Sequence, residues 1–429
     1  GNLQEADRAY AEAVALANAT HERGELAVAL LQRGQAQTGL NQFHEAVLTT
    51  EQALELYRQL NDAEGAALAR LQLGSVQVHL GNYDAAAECA QQALEEAALN
   101  SQIAAVAFGL LGWARASQGQ YAEGVPLLER AVDYMGSIGD VQRRALLLRR
   151  RHWADLARGR YESAIELAMR ARDDFRGIGD ARGEAQMDMG IGHARLAQGL
   201  YDEAIERLKR AQESLRRVGD TQLEAEAQWL LGRAYCEVGQ YALAEDHLTG
   251  ALAVIRASVS DRTDEFRILT DLARLRLATG EAEFALAMAN DAVVIAEELQ
   301  SVEGLGFALV EQARAQFALG ETAEALSGLR RAAGLLGEAG AGERWRAQQA
   351  LALVLEQCTD EKCRHEAVEA LRTCVRLLNE TREQLAADVA RSTAFRRARG
   401  FWAGKLAAQL REQGLPAEAE KVALAWGLE

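Results

Sequence analysis

The chain has 429 residues, 49% of them hydrophobic and 26% charged, and its 47 Lys+Arg against 63 Asp+Glu give a net charge of -16. That apolar content supports sizeable cores, the charged fraction excludes a membrane-embedded protein, and the acidic balance supplies no global field toward phosphate backbones or anionic lipid. Two prolines beside 37 glycines exclude Pro-rich linkers and Pro-rich β architectures, and leave uninterrupted helices that glycine punctuates.

Five cysteines, an odd number, do not make a secreted disulfide framework. No apolar run approaches the ~18 residues of a transmembrane helix, and the N-terminus lacks a basic-then-apolar leader. The expected compartment is the reducing cytoplasm, with no membrane partner.

In chain order, residues 1–20 come first. Gly1-Asn2-Leu3-Gln4-Glu5-Ala6 matches Gly199-Leu200-Tyr201-Asp202-Glu203-Ala204, the start of the second helix of a hairpin. Its first helix is absent, so the expectation is a fragment of something longer. Residues 21–342 hold eight units. An aromatic recurs at Phe43, Tyr83, Tyr121, Tyr161, Tyr201 and Tyr241, with Ala282 and Thr322 at the same position in the last two units, in steps of about 40.

Each unit has one grammar. Small residues stand nine before the aromatic position (Gly34, Gly74, Gly112, Gly192, Gly232, Ala273, Ala313), three after it (from Ala46 to Ala325) and ten after it (from Ala53 to Ala332). The last two rows are two helical turns apart, so they share a face and admit a close neighbour. Gly81, Gly119, Gly159, Gly199 and Gly239 lie two residues before the aromatic, where a left-handed residue ends a helix. The Asp of IGD, VGD and LND turns is placed to cap the next helix.

This pattern resembles the tetratricopeptide repeat, which implies an all-α, right-handed α-solenoid of antiparallel helix pairs, helix A followed by helix B. The period exceeds the family's usual length of about 34, as in the longer-helix subgroup of bacterial multidomain regulators, and Gly-Asp often stands where the family has proline. Unit four departs from the pattern. His152 takes the small position within Arg149-Arg150-Arg151-His152-Trp153, and Pro126 precedes it in helix B. A local change of curvature between Ala122 and Arg160 is expected. Residues 343–380 continue as a degenerate helix pair with Cys374 at the third small position. Residues 381–429 read as a long helix from Thr381 to about Gln413 and a final helix after Pro416, a cap or a lead-in to another domain.

Phosphate-binding, nucleophile-elbow and zinc-protease motifs are all lacking, so neither catalysis nor a cofactor is expected. Cys358, Cys363, His365 and Cys374 offer zinc-competent donors, but their spacing is unlike paired knuckles, and they read as ordinary residues with no metal. The basic run Arg391, Arg396, Arg397, Arg399 and Lys405, among Phe395, Phe401 and Trp402, reads as the solvated face of a capping helix; nucleic acid is not an expected partner.

The family resemblance also implies that A helices line a concave groove, reached by the residue after the small position and by the one a turn earlier. Those two rows hold the candidate partner-binding residues Trp113, Arg149, Trp153, His193, Trp229, Arg233, Arg274 and Arg314. Trp and Arg dominate binding hot spots, and arginine grips carboxylates, so the expected occupant is a protein or peptide segment, acidic with apolar anchors. Glu237, Asp271 and Glu311 offer the same arginines an intramolecular, solvated alternative. Two functions follow. The first is a non-catalytic interaction scaffold. The second is the sensor array of a larger signalling protein, a transcription-activator ATPase or caspase-like protease by resemblance, that binds a small ligand or controls an effector domain in the same polypeptide.

Overall fold

The computed structural model describes residues 3–97, 101–257, 262–339, 342–358 and 360–428. Gly1 and Asn2, part of the basis for reading the first helix as a helix B, lie outside them. The described residues form 21 helices and no strand, and the chain divides into two compact units, Gly1–Ala154 and Asp155–Glu429.

Unit 1 holds α1 (Leu3–Thr20), α2 (Arg23–Gly39), α3 (Phe43–Gln59), α4 (Ala63–His79), α5 (Tyr83–Glu96), α6 (Gln102–Ser117), α7 (Tyr121–Ser137) and most of α8 (Val141–Ala157). Unit 2 continues with α9 (Tyr161–Gly177), α10 (Ala181–Ala197), α11 (Tyr201–Val218), α12 (Thr221–Glu237), α13 (Tyr241–Ala257), α14 (Thr263–Ala278), α15 (Ala282–Glu298), α16 (Val302–Ala318) and α17 (Thr322–Ala339). It closes with α18 (Trp345–Leu355), α19 (Glu361–Gln384), α20 (Val389–Glu412) and α21 (Pro416–Trp426).

The eight helices B, α3 through α17, begin on the eight positions marked in the sequence, from Phe43 to Thr322. Their starts are set by what precedes them. A left-handed residue recurs every 20 residues from Gly119 to Gly239, with φ between +72° and +78°. The turn inside each hairpin and the turn between hairpins therefore share one geometry. At Gly219 the amide donates to the Arg216 carbonyl and that of Asp220 reaches Leu215, which closes the end of α11. Asp220 then accepts from the Leu223 amide at 2.9 Å and opens α12, as Asp62 and Asp180 do for α4 and α10.

Packing within a hairpin rests on the small rows. Ala46, Ala53, Ala86, Ala93, Ala131, Ala164, Ala204, Ala244 and Ala285 have no exposed surface. The closest approach is glycine on glycine: a Cβ at Gly112 would lie 2.7 Å from the Gly124 carbonyl oxygen and 2.9 Å from the Leu128 amide nitrogen. Consecutive A helices touch directly, α2 with α4 and α4 with α6 in unit 1, and α10 through α18 in unit 2, which places them on the inner side of each curved stack.

His152 is fully buried at its small position, and the boundary between the units falls two residues later, inside the stretch where the sequence departs from its pattern. Pro126 lies within α7, which runs on through it. The continuous helix expected from Thr381 to Gln413 is instead broken at 385–388. Leu385 turns into the core, 1% exposed, and Asp388 accepts from the Arg391 amide at 3.0 Å to start α20 afresh.

Glycine at the helix–helix contact and glycine at a helix end carry opposite expectations. Gly112→Ala drives a methyl into two backbones and lowers stability by about 1–3 kcal/mol. Gly177→Ala, with nothing within 4 Å of its added carbon at the end of α9, raises it by up to about 1 kcal/mol. Thermal unfolding followed by circular dichroism reads both: the midpoint falls for the first and holds or rises for the second.

Candidate functional site

The eight candidate residues lie on A helices, and the two units use theirs differently. In unit 1, Trp113 on α6 is half-buried, as are Arg149 and Trp153 on α8. His152 meets the Trp153 ring edge-on at 4.8 Å. The side chain that stands out is one the sequence reading set aside, Arg150. It donates to the Gly109 carbonyl of α6 at 3.5 Å. No carboxylate pairs with it among the described residues. Burial, with the Arg149 charge beside it, pulls its guanidinium down to about 10. His79 faces the same recess, stacked on Phe43 at 5.2 Å. Burial and the charges of Arg150 and Arg149 depress its proton affinity.

In unit 2 the inner face is internally paired. Trp229 is buried and its indole nitrogen donates to Asp271 at 2.7 Å, while His193 meets its ring edge-on at 6.2 Å. Asp271 also takes Arg274 at 2.8 Å, and Arg274 donates to Glu311 at 2.9 Å. Glu311 in turn accepts from Arg314 at 2.7 Å. Arg233 is held by Glu343, 110 residues on, and Glu343 accepts from Arg346 at 3.1 Å. Arg346 reaches back to Glu237 at 2.8 Å, and Glu237 accepts from Tyr201 at 2.8 Å and lies 3.5 Å from Arg399. The structure therefore gathers Trp229, Arg233, Arg274 and Arg314 into one network. It is the intramolecular network that the acidic neighbours allowed, but buried rather than solvated.

Burial alone would raise the Glu343 carboxyl; the guanidiniums of Arg233 and Arg346 outweigh it and hold the group far below the carboxylate range. Glu237 is depressed in the same way by Arg346 and Arg399, and Glu311 by Arg314 and Arg274.

The C-terminal helices complete this face. Arg399, placed by its sequence on a solvated surface, is 7% exposed, lying over Trp345 at 4.6 Å and Tyr201 at 5.6 Å. Arg391 pairs with Glu203 at 3.1 Å and Lys405 with Glu356 at 2.5 Å, so much of the basic run is spent on carboxylates of its own chain. Backbone contacts reinforce the closure. The Gly342 amide donates to the Ala157 carbonyl at 2.7 Å, and Gln384 donates to the Gly159 carbonyl at 2.8 Å. Cys374 is buried in the apolar core, which pushes its thiol up to about 12. No group of three or more His, Cys, Asp or Glu able to hold a metal ion occurs among the described residues.

Residues 183–257 and 223–298 match one tetratricopeptide-repeat model and residues 67–98 match another. Residues 67–98 and 183–298 thus match tetratricopeptide repeats, and the described residues have the helix-pair α-solenoid fold of such repeats. No curated protein matches the chain by sequence. Among solved structures it resembles a Rap protein complexed with competence and sporulation factor, at 14% identity and a TM-score of 0.54 over 80% of this chain and 99% of that one. The apo form of RapI gives 13% identity and 0.54 over 83% and 99%. A signal-transduction ATPase with numerous domains and a tetratricopeptide-repeat sensor, from Pyrococcus horikoshii, gives 16% and 0.46 over 77% and 52%.

The network makes unit 2 sensitive to acid. Glu343 binds its proton more weakly folded than unfolded, where a glutamate titrates near ~4.3, so its contribution is whole above that value and is lost as pH falls below it. Glu343→Gln costs on the order of 3 kcal/mol at pH 7 by removing the hydrogen-bonded anion of buried Arg233 and leaving only Asp271, at 3.9 Å. Urea unfolding at pH 7, 5, 4 and 3 should show a steeper acid decline for the wild type than for the variant.

Proposed function

We propose that the chain is a non-catalytic interaction scaffold that takes an extended or helical partner segment along the inner face of its A helices. Arg150 is the observation that carries this reading: a guanidinium in a recess, depressed by its own surroundings and lacking a carboxylate. A recess of that kind attracts an acidic side chain, and the half-buried Trp113 offers an apolar anchor nearby on the same helix layer. Arg149 and Trp153 extend the surface. Trp229, Arg233, Arg274 and Arg314 contribute only where a partner replaces the carboxylates that already hold them, and His193 only alongside Trp229, whose ring it meets. The five cysteines, all free thiols, support a cytoplasmic setting. The alternative reading, a sensor array that binds a small ligand and governs an effector domain, is favoured by a polar cavity of about 230 Å³ in unit 2.

A peptide-display selection on the immobilised wild-type chain at moderate salt tests the scaffold reading. Selected peptides should carry Asp or Glu close to an aromatic or large aliphatic residue. They should lose at least about tenfold in affinity, roughly 1.4 kcal/mol, on Arg150→Gln or Trp113→Ala. Peptides that bind all three proteins alike would remove the inner face of unit 1 from the interaction.

A further inference from the structure

The unit 2 cavity is walled on one side by α12, α14 and α16 and on the other by α18 and α20. Four arginines line it, Arg274, Arg314, Arg346 and Arg399, against two glutamates, Glu237 and Glu311. Asp271, Glu343 and Arg233 stand behind them, so the whole network still sets five guanidiniums against four carboxylates. The uncompensated charge is traceable. Glu237 is already engaged by Arg346 and Tyr201, each at 2.8 Å, and lies 3.5 Å from Arg399. The Nε and Nη2 groups of Arg399 are buried and have no acceptor. At the other wall Arg314 has a single carboxylate, Glu311, which it shares with Arg274, and 40% of its side chain is open to solvent.

A buried guanidinium that shares its one carboxylate and leaves two N–H groups without acceptors is costly, and the two rings over which Arg399 lies offset that only in part. Beside these charges the cavity presents apolar surface, Trp345 and Trp402 with Leu353. We propose that it binds a small organic monocarboxylate. The carboxylate is taken by the arginine surplus, and the apolar body packs against the tryptophans. A single excess positive charge matches a monoanion and leaves a dianionic phosphate over-charged. Because the walls come from the repeat array and from the C-terminal helices, the ligand bridges them and stabilises their docking. This inference rests on the sensor reading and gives it a site and a ligand class; it makes no use of the unit 1 recess.

The test titrates the full chain with 3-phenylpropionate and, in parallel, with the neutral 3-phenylpropanamide. Tryptophan fluorescence and calorimetry report binding, and hydrogen exchange reports protection of 389–412. The acid should bind saturably with Kd of about 1 mM or below, the range of a fragment-sized ligand, at least about tenfold tighter than the amide. It should also slow exchange in α20. Arg314→Gln, at a position 40% open to solvent and with Arg274 still on Glu311, should weaken the acid at least about fivefold and leave the amide unchanged, with its circular-dichroism spectrum matching the wild type. Equal binding of acid and amide, or an Arg314→Gln protein that binds the acid as the wild type does, overturns the proposal. Binding of the amide alone overturns it while sparing the sensor reading. No saturable binding of either probe removes both.

Discussion

One turn, repeated about every 20 residues, is the constraint on which the rest depends. It ends one helix with a left-handed residue and caps the next within three positions, so most helices of the repeats have the same 17-residue length, about 25 Å at 1.5 Å per residue. Equal lengths keep the small rows of facing helices in register. Register lets Gly112 lie against Gly124, and that proximity fixes which side of each A helix faces inward. The side chains that follow each small residue are thereby stacked from hairpin to hairpin, whatever their chemistry.

Stacking charged residues on an inner face creates an electrostatic problem that the two units meet differently. In unit 2 the arginines of α12, α14 and α16 are neutralised by carboxylates of the same helices and by Glu343. Arg346 and Arg399 then neutralise Glu237 from the far side. Such a network is poor evidence of net stability, because desolvation of the ions offsets most of their attraction. What it contributes is specificity of closure. Arg233 gains a hydrogen-bonded anion, beyond Asp271 at 3.9 Å, only when Glu343 is in place, and the backbone contact of Gly342 with Ala157 fits the same arrangement. An apolar component runs alongside, with Leu200 in the same core as Trp345 and the C-terminal helices.

The parts of this arrangement that were legible in the sequence are those decided locally. A helix B starts on its aromatic because a left-handed glycine precedes it by two residues, and Asp62, Asp180 and Asp220 cap because they stand three residues from a waiting amide. The identity of the two turn types was harder to see, since Asn41, Asn61 and Gln300 take the left-handed position without the glycine that advertises it. The break at 385–388 was hidden by a helical composition running through it; only the cap Asp388 marks it. The pairing of Arg233 with Glu343, Arg346 with Glu237 and Arg391 with Glu203 spans 110, 109 and 188 residues. No local pattern carries that information, so Arg399 read as solvated when it is buried. Arg150 was missed for another reason: its neighbours Arg149 and Trp153 fit the groove rows, whereas Arg150 falls on neither row and meets α6 only through the Gly109 carbonyl.

Arg150 and Arg233 show why residue type and row do not determine binding. Both are arginines of A helices, but Arg233 has a carboxylate tethered on the same chain, present at an effective concentration that a free acidic segment must exceed to displace it. Displacement would also strand Glu343 beside Arg346, a second cost in the same step. Arg150 has no carboxylate of its own chain to be displaced among the described residues, only the Gly109 carbonyl at 3.5 Å. On the scaffold reading, an acidic segment therefore meets less competition at Arg150 than at Arg233. In unit 2 the chain's own compensation leaves a shortfall of one carboxylate shared between Arg399 and Arg314, on opposite walls of a small cavity.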